Sequence, residues 1–188
     1  SFEKVMKYGR PSRVRHTHFD ANNQPMIVDL LSTPLYSESG EFQGVIEVEH
    51  DVTQMVKMQA GLVESEARLQ AIMDNAATVI TLKDTQGHFI LVNRRFNELF
   101  NFSREEIVGK TDYDLFPENI ADKFSENDRK ALQAGHPMEI EEVLHHKDGC
   151  HTYLAIKFPM YDISGTPYGV CSIATDITER KRGEIEVR

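Results

Sequence analysis

Two stretches of this chain repeat one another, and that repeat limits the fold before any other property is considered. Lys4-Val5-Met6-Lys7-Tyr8-Gly9-Arg10-Pro11 and Lys130-Ala131-Leu132-Gln133-Ala134-Gly135-His136-Pro137 carry lysine, glycine and proline at a common offset. Further along, Pro34-Leu35-Tyr36 answers to Pro159-Met160-Tyr161, Gly40 to Gly165, and Gly44-Val45 to Gly169-Val170. Both stretches close alike, in Asp51-Val52-Thr53-Gln54 and Asp176-Ile177-Thr178-Glu179. The offset slips by one residue between the blocks, which places an indel in the turn around Asn22-Asn23, where a fold tolerates it. Such a repeat is two copies of one structural unit. The first copy lacks everything corresponding to residues 76–126. The expected organisation is half a domain over 1–53, a helical linker over 54–75, a complete domain over 76–179 and the start of an output helix over 180–188.

In the complete copy, Thr78–Leu82 and His88–Val92 read as a hairpin around Asp84-Thr85-Gln86-Gly87, the glycine supplying the turn's positive φ. Asn93 caps a short helix with Phe96, Leu99 and Phe100 on one side. Ser103-Arg104-Glu105-Glu106 is a capping box, and Gly109 ends its helix. A longer helix spans Glu118 to Gln133, with Ile120, Phe124 and Leu132 as inward candidates and Gly135 as its stop. Strands over Met138–His146, His151–Met160 and Tyr168–Thr175 finish the unit, the first two joined by a turn at Lys147-Asp148-Gly149-Cys150.

Several words occur in a fixed order along this copy: Val92-Asn93-Arg94-Arg95-Phe96-Asn97, Ser103–Lys110, Asp112-Tyr113-Asp114-Leu115-Phe116-Pro117, His146-Lys147-Asp148-Gly149 and Asp176-Ile177-Thr178-Glu179-Arg180. A chain with these words in this order resembles the PAS family, in full over about residues 65–182 and as a half domain over 1–55. The resemblance implies an α+β fold: a five-stranded antiparallel sheet with helices on one face and a small cavity between them, preceded here by a helical linker and a partial sheet. It also implies a sensor and dimerisation module, placed upstream of a histidine kinase or a cyclic-dinucleotide enzyme as output domain.

Composition narrows the partners. A net charge of −9 spread along the chain argues against nucleic acid. Two cysteines make no disulfide framework, no apolar run is long enough for membrane insertion, and no signal peptide is recognisable. A cytoplasmic piece of a longer protein is the expectation. No phosphate-binding loop, nucleophile elbow, HExxH pair or CxxC is present, so catalysis is not expected of this segment.

The closing Asp-x-Thr segments mark a last strand feeding directly into a helix, a junction able to carry a shift from sheet to helix. Asp51, Thr53, Asp176 and Thr178 are the relay candidates. Met55, Met58, Leu62, Leu69 and Ile72 hold a and d heptad positions in the linker, interrupted by Ser65 and containing Gly61. That pattern suits an amphipathic connector and a homodimer rather than a strong autonomous coiled coil. In the half domain, Val28, Leu30, Leu35, Val45 and Ile46 are expected to leave one apolar face wet.

His145, His146, Cys150 and His151 form the metal candidate, with the turn register placing His146 opposite His151; a solvated hairpin tip is the competing reading, and no metal is assigned. Haem is not expected, because Glu118–Gln133 contains no histidine. Covalent flavin chemistry is not expected either, since Cys150 lies in a turn and Cys171 in a strand. A small-molecule ligand in the cavity remains. Alternation points Leu154, Ile156 and Phe158 to the core. The family comparison instead assigns the cavity face to Ile140, Glu142, Leu144, Tyr153, Ala155, Lys157, Ser172 and Ala174, with Glu142 and Lys157 as diagonal neighbours able to pair. The residues leave open a ligand-binding input module and a ligand-free dimerisation scaffold.

Overall fold

The computed structural model describes residues 2–146 and 149–186. Two compact units divide the chain, Ser1–Ala67 and Arg68–Arg188. The first holds α1 (Phe2–Tyr8), β1 (Ser12–Phe19), β2 (Pro25–Tyr36) and β3 (Phe42–Asp51), the strands pairing antiparallel in that order. The helix α2 (Thr53–Asp74) runs across the division. The second unit contains β4 (Val79–Asp84), β5 (Phe89–Val92), α3 (Arg94–Phe100), α4 (Arg104–Ile107), α5 (Asp112–Leu115), α6 (Glu118–Ala134), β6 (Met138–His146), β7 (Gly149–Tyr161), β8 (Pro167–Asp176) and α7 (Thr178–Glu186). Its sheet is antiparallel in the order β5-β4-β8-β7-β6.

Local chemistry places most of these elements. Asn93 caps α3 by accepting from the Phe96 amide, and the Ser103–Glu106 capping box opens α4. Gly135 stops α6 at φ 70°, the left-handed conformation a glycine takes without penalty. The sequence reading missed α5, a single turn whose Asp114 carboxylate accepts from the Thr111 amide and hydroxyl. On α6 the buried stripe is Ala121, Asp128 and Ala131, while Ile120, Phe124 and Leu132 are only half-buried. The core of the second unit gathers Phe89, Val92, Phe96 and Ile107, with Phe100, Phe102, Leu115 and Phe116 packed around them.

The repeat reappears as repeated contacts. Tyr36 donates its hydroxyl to the Gly9 carbonyl at 3.3 Å, and Tyr161 to the Gly135 carbonyl at 3.2 Å. The connection after β1 is one residue longer than that after β6, because Phe19 pairs with Pro25 whereas their counterparts His145 and Cys150 pair with one residue fewer between them, so the extra residue falls in that turn. The half domain needs one correction. Strand alternation separates its apolar residues: Val28, Leu30 and Val45 share the face with buried Ser32, whereas Leu35 and Ile46 lie on the other, with Leu31 and Val48. Val28 is buried and α1 packs on β2 with Val5 fully enclosed, so the exposed apolar face is the opposite one.

The hairpin between β6 and β7 is also in a different register from the expected one. His146 pairs with Gly149, and His151 with Leu144. Lys147 and Asp148, which the expected turn included, lie outside the described residues. The shift is by two residues, so every side chain keeps its face.

Candidate functional site

A cavity in the second unit lies between the sheet and helices α3, α5 and α6, with an open space of ≈ 50 Å³. That is room for several waters or one compact molecule. Phe89, Phe96, Phe100, Phe116 and Phe124 wall one side; Thr81, Lys83, Glu142, Tyr153, Lys157 and Ser172 come from the strands. Of the residues expected to face it, Glu142, Leu144, Tyr153, Lys157, Ser172 and Ala174 line it. Ala155 is fully buried beside them but outside the lining, and Ile140 lines a separate groove between α6 and β6. Along β7 it is Tyr153, Ala155 and Lys157 that are buried, whereas Leu154, Ile156 and Phe158 are half-buried on the far face.

The polar heart of the site is a buried charge cluster. Lys83 Nζ lies 2.5 Å from Asp112 Oδ2 and 2.8 Å from Asp128 Oδ2. Lys157 Nζ lies 2.7 Å from Asp128 Oδ1 and 3.3 Å from Glu142 Oε1, which also accepts from Asn127 Nδ2 at 3.0 Å. The Glu142–Lys157 pair therefore forms, but over a longer reach than a diagonal neighbour, because Glu142 faces Tyr153 and Lys157 faces Met138. Each ammonium also sits over an aromatic ring, Lys83 at 4.7 Å from the Phe89 centroid and Lys157 at 5.4 Å from that of Phe124.

Burial raises a carboxyl, but between two ammoniums Asp128 is held below the usual carboxylate range. Burial would lower Lys157, yet Asp128 and Glu142 outweigh it and raise the ammonium. Asp112 differs: burial pushes its carboxyl up, further than Lys83 pulls it down. Its Oδ1 is buried without a hydrogen-bond partner.

Sequence reasoning passed over Lys83, Asp112 and Asp128. One signal was available, since Asp128 falls on the stripe of Ala121, Phe124 and Ala131 at helical spacing.

The two strand-to-helix junctions have the same construction. In the first, Thr53 N donates to Asp51 Oδ1, Thr53 Oγ1 accepts from Ile27 N at 2.7 Å, and Val52 N donates to the Ile27 carbonyl. In the second, Thr178 N donates to Asp176 Oδ1, Thr178 Oγ1 accepts from Thr152 N at 2.9 Å, and Ile177 N donates to the Thr152 carbonyl. Each threonine ties its helix start to the neighbouring strand. Glu179 pairs with Arg182 rather than reaching back as a capping-box partner. His151 Nδ1 lies 2.7 Å from Asp176 Oδ2, which connects the histidine hairpin to the second junction. The His146 and His151 rings are 4.9 Å apart, and among the described residues no three His, Cys, Asp or Glu side chains are grouped to hold a metal. Asn93 makes a comparable tie at the entry, donating to the Met73 carbonyl of α2 and the Thr78 carbonyl while accepting from Ile80 N and Phe96 N.

The family described as the PAS fold matches residues 73–182, and a second, described as the PAS domain, matches residues 1–54. The chain belongs to the PAS family. Relatives of this PAS chain include the methanogenesis regulatory histidine kinase FilI of Methanothrix harundinacea, 32% identical over 67% of this chain and 14% of that protein. The aerobic respiration control sensor protein ArcB of Escherichia coli is 28% identical over 61% of this chain and 15% of its own length. The chain thus spans about one seventh of these curated relatives. Among solved structures, the phage VqmA–DPO complex is similar with a TM-score of 0.55 and 27% identity, covering 69% of this chain and 60% of that one. The PAS domain of an HTR-like protein from Haloarcula marismortui shares the fold, with a TM-score of 0.50 and 20% identity over 64% of this chain and 98% of that domain. No helix among the described residues is long and apolar enough to cross a membrane.

Proposed function

We propose that this chain is the cytoplasmic sensory input region of a histidine kinase, that the complete PAS copy binds a small molecule in its cavity, and that the Asp-Thr junctions relay occupancy to α2 and α7. The observation that carries the reading is the cavity itself: an aromatic-walled space next to a buried charge cluster supports ligand binding. The VqmA neighbour was solved as a complex with DPO, which supports a ligand-binding role for this chain. Histidine-kinase output is supported by FilI, and a diguanylate cyclase of Vibrio cholerae, 22% identical over 58% of this chain, supports the cyclic-dinucleotide alternative.

Met55, Met58, Leu62, Leu69 and Ile72 are all exposed along α2, and this stripe favours homodimerisation and the second reading, a ligand-free scaffold. Native mass spectrometry of protein purified without added ligand separates the readings. A dimer carrying a stoichiometric adduct is expected; a bare dimer turns the assignment to the scaffold. In the full-length parent, Asp176→Ala is expected to lower signal-dependent output more than thermal stability, and equal losses would count against the relay.

A further inference from the structure

The charge cluster is unbalanced. Two ammoniums, Lys83 and Lys157, face three carboxylates, Asp112, Asp128 and Glu142, so with all ionised the cluster carries one net negative charge. Both lysines are committed: each serves two carboxylates and lies over a phenylalanine face, so neither is left to greet an incoming anion. Both oxygens of Asp128 are taken, and Glu142 is held by Asn127 and Lys157. The one buried side-chain atom of the lining recorded without a partner is an acceptor, Asp112 Oδ1, on a residue 2% exposed. A buried acceptor left unpaired is costly, so the fold retains it against a penalty. The remaining wall is aromatic, and ring faces favour positive charge.

Resting on the reading that this cavity takes a small molecule, we infer that its occupant is a compact organic cation of the amine or amidinium class, with an N–H donated to the Asp112 carboxylate. Such a ligand brings the positive charge the cluster lacks and the donor that Oδ1 lacks. A carboxylate or phosphate of the same size would add negative charge beside three carboxylates. Burial raises the Asp112 carboxyl, so a cation that binds its ionised form binds more tightly as pH rises.

The test is isothermal titration of the 188-residue chain with two isosteric sets: acetamidine, acetamide and acetate, and benzamidine, benzamide and benzoate. In the set whose size fits, the amidine should bind at least about tenfold tighter than the amide, the value of one charged hydrogen bond, and the carboxylate should not bind. Asp112→Asn, which keeps the shape, should abolish the amidine preference while the circular dichroism spectrum is unchanged. Ser172→Phe, which fills the cavity, should abolish all binding. Tightest binding by the carboxylate, or an amidine preference that survives Asp112→Asn, overturns the cation assignment while the cavity remains a ligand site. If no probe of either size distinguishes the wild type from Ser172→Phe, the small-molecule reading falls as well.

Discussion

At one buried strand position the first copy holds Ser32 and the second holds Lys157, and the rest of each interior follows from that difference. Ser32 Oγ donates to Glu47, its ladder partner on β3, at 2.7 Å. Lys157 has Ser172 as its ladder partner on β8, but its ammonium leaves the sheet for Asp128 on α6 and Glu142 on β6. A buried lysine requires carboxylates delivered from outside its strand, and α6 and β6 deliver them. The same frame thus carries a cross-strand polar pair in one copy and a helix-dependent ionic cluster in the other. The end contacts are indifferent to this: the tyrosine-to-glycine clamps, at 3.3 and 3.2 Å, and the threonine ties, at 2.7 and 2.9 Å, join equivalent residues in both copies.

The sharpest way to break this comparison is to remove the acid that both lysines share. Asp128→Ala leaves two buried ammoniums with only Asp112 and Glu142, and should cost about 3–5 kcal/mol in urea unfolding of the second unit. Ser32→Ala should cost about 1 kcal/mol in the first. Equal costs would mean that the cluster is not what distinguishes the copies.

Glycine gives the next largest contrast. A Cβ on Gly169 would lie 2.2 Å from the Lys83 carbonyl oxygen, because β4 runs against β8 there, whereas a Cβ on its counterpart Gly44 meets nothing within 4 Å. Gly169→Ala should therefore destabilise by about 2–3 kcal/mol through backbone displacement. Gly44→Ala should be neutral, or stabilising by up to about 1 kcal/mol through a stiffer unfolded chain. Thermal melts of the two variants check both signs, and a large loss at Gly44 would reveal a neighbour packed against that strand.

These contrasts also show what the sequence could convey. Asn93, Ser103 with Glu106, Gly135 and the Asp-x-Thr closures are local signals whose geometry is set by residues a few positions away, and each sits where it was expected. The family resemblance supplied the order of the elements. Of the ionic cluster only the Glu142–Lys157 pair was legible, from the family resemblance. Lys83, Asp112 and Asp128 are far apart in the chain, and each alone looks like an ordinary solvated charge. On β7 hydrophobicity misleads outright, since Lys157 is 3% exposed while Leu154, Ile156 and Phe158 are half-buried on the other face. The error in the β6–β7 register did no harm to the face assignment because it was an even number of residues.

The junctions supply the smaller effects. Thr53→Val and Thr178→Val each remove the acceptor for one strand amide and should each cost about 1 kcal/mol, equally in both copies, as read from amide exchange at Ile27 and Thr152.

The junctions should differ only under acid. In the second, His151 adds a hydrogen bond to Asp176, and with Thr178 it overcomes the effect of burial and holds that carboxyl down to about 2. Met26 stands where His151 would be in the first copy, so Asp51 is held down chiefly by Thr53. A carboxyl whose folded value is depressed contributes stability above its unfolded value near about 4, and loses that contribution as pH falls from there toward about 2. Because Asp176 is about one-third exposed, solvent screening limits the effect to about 1 kcal/mol. Between pH 5 and pH 2, exchange at the Thr152 and Thr178 amides should therefore accelerate a few-fold more than at Ile27 and Thr53, after correction for intrinsic rates. His151→Met should make the two junctions respond alike. If the difference persists in that variant, the acid sensitivity belongs to the sheet behind the junction and not to the histidine.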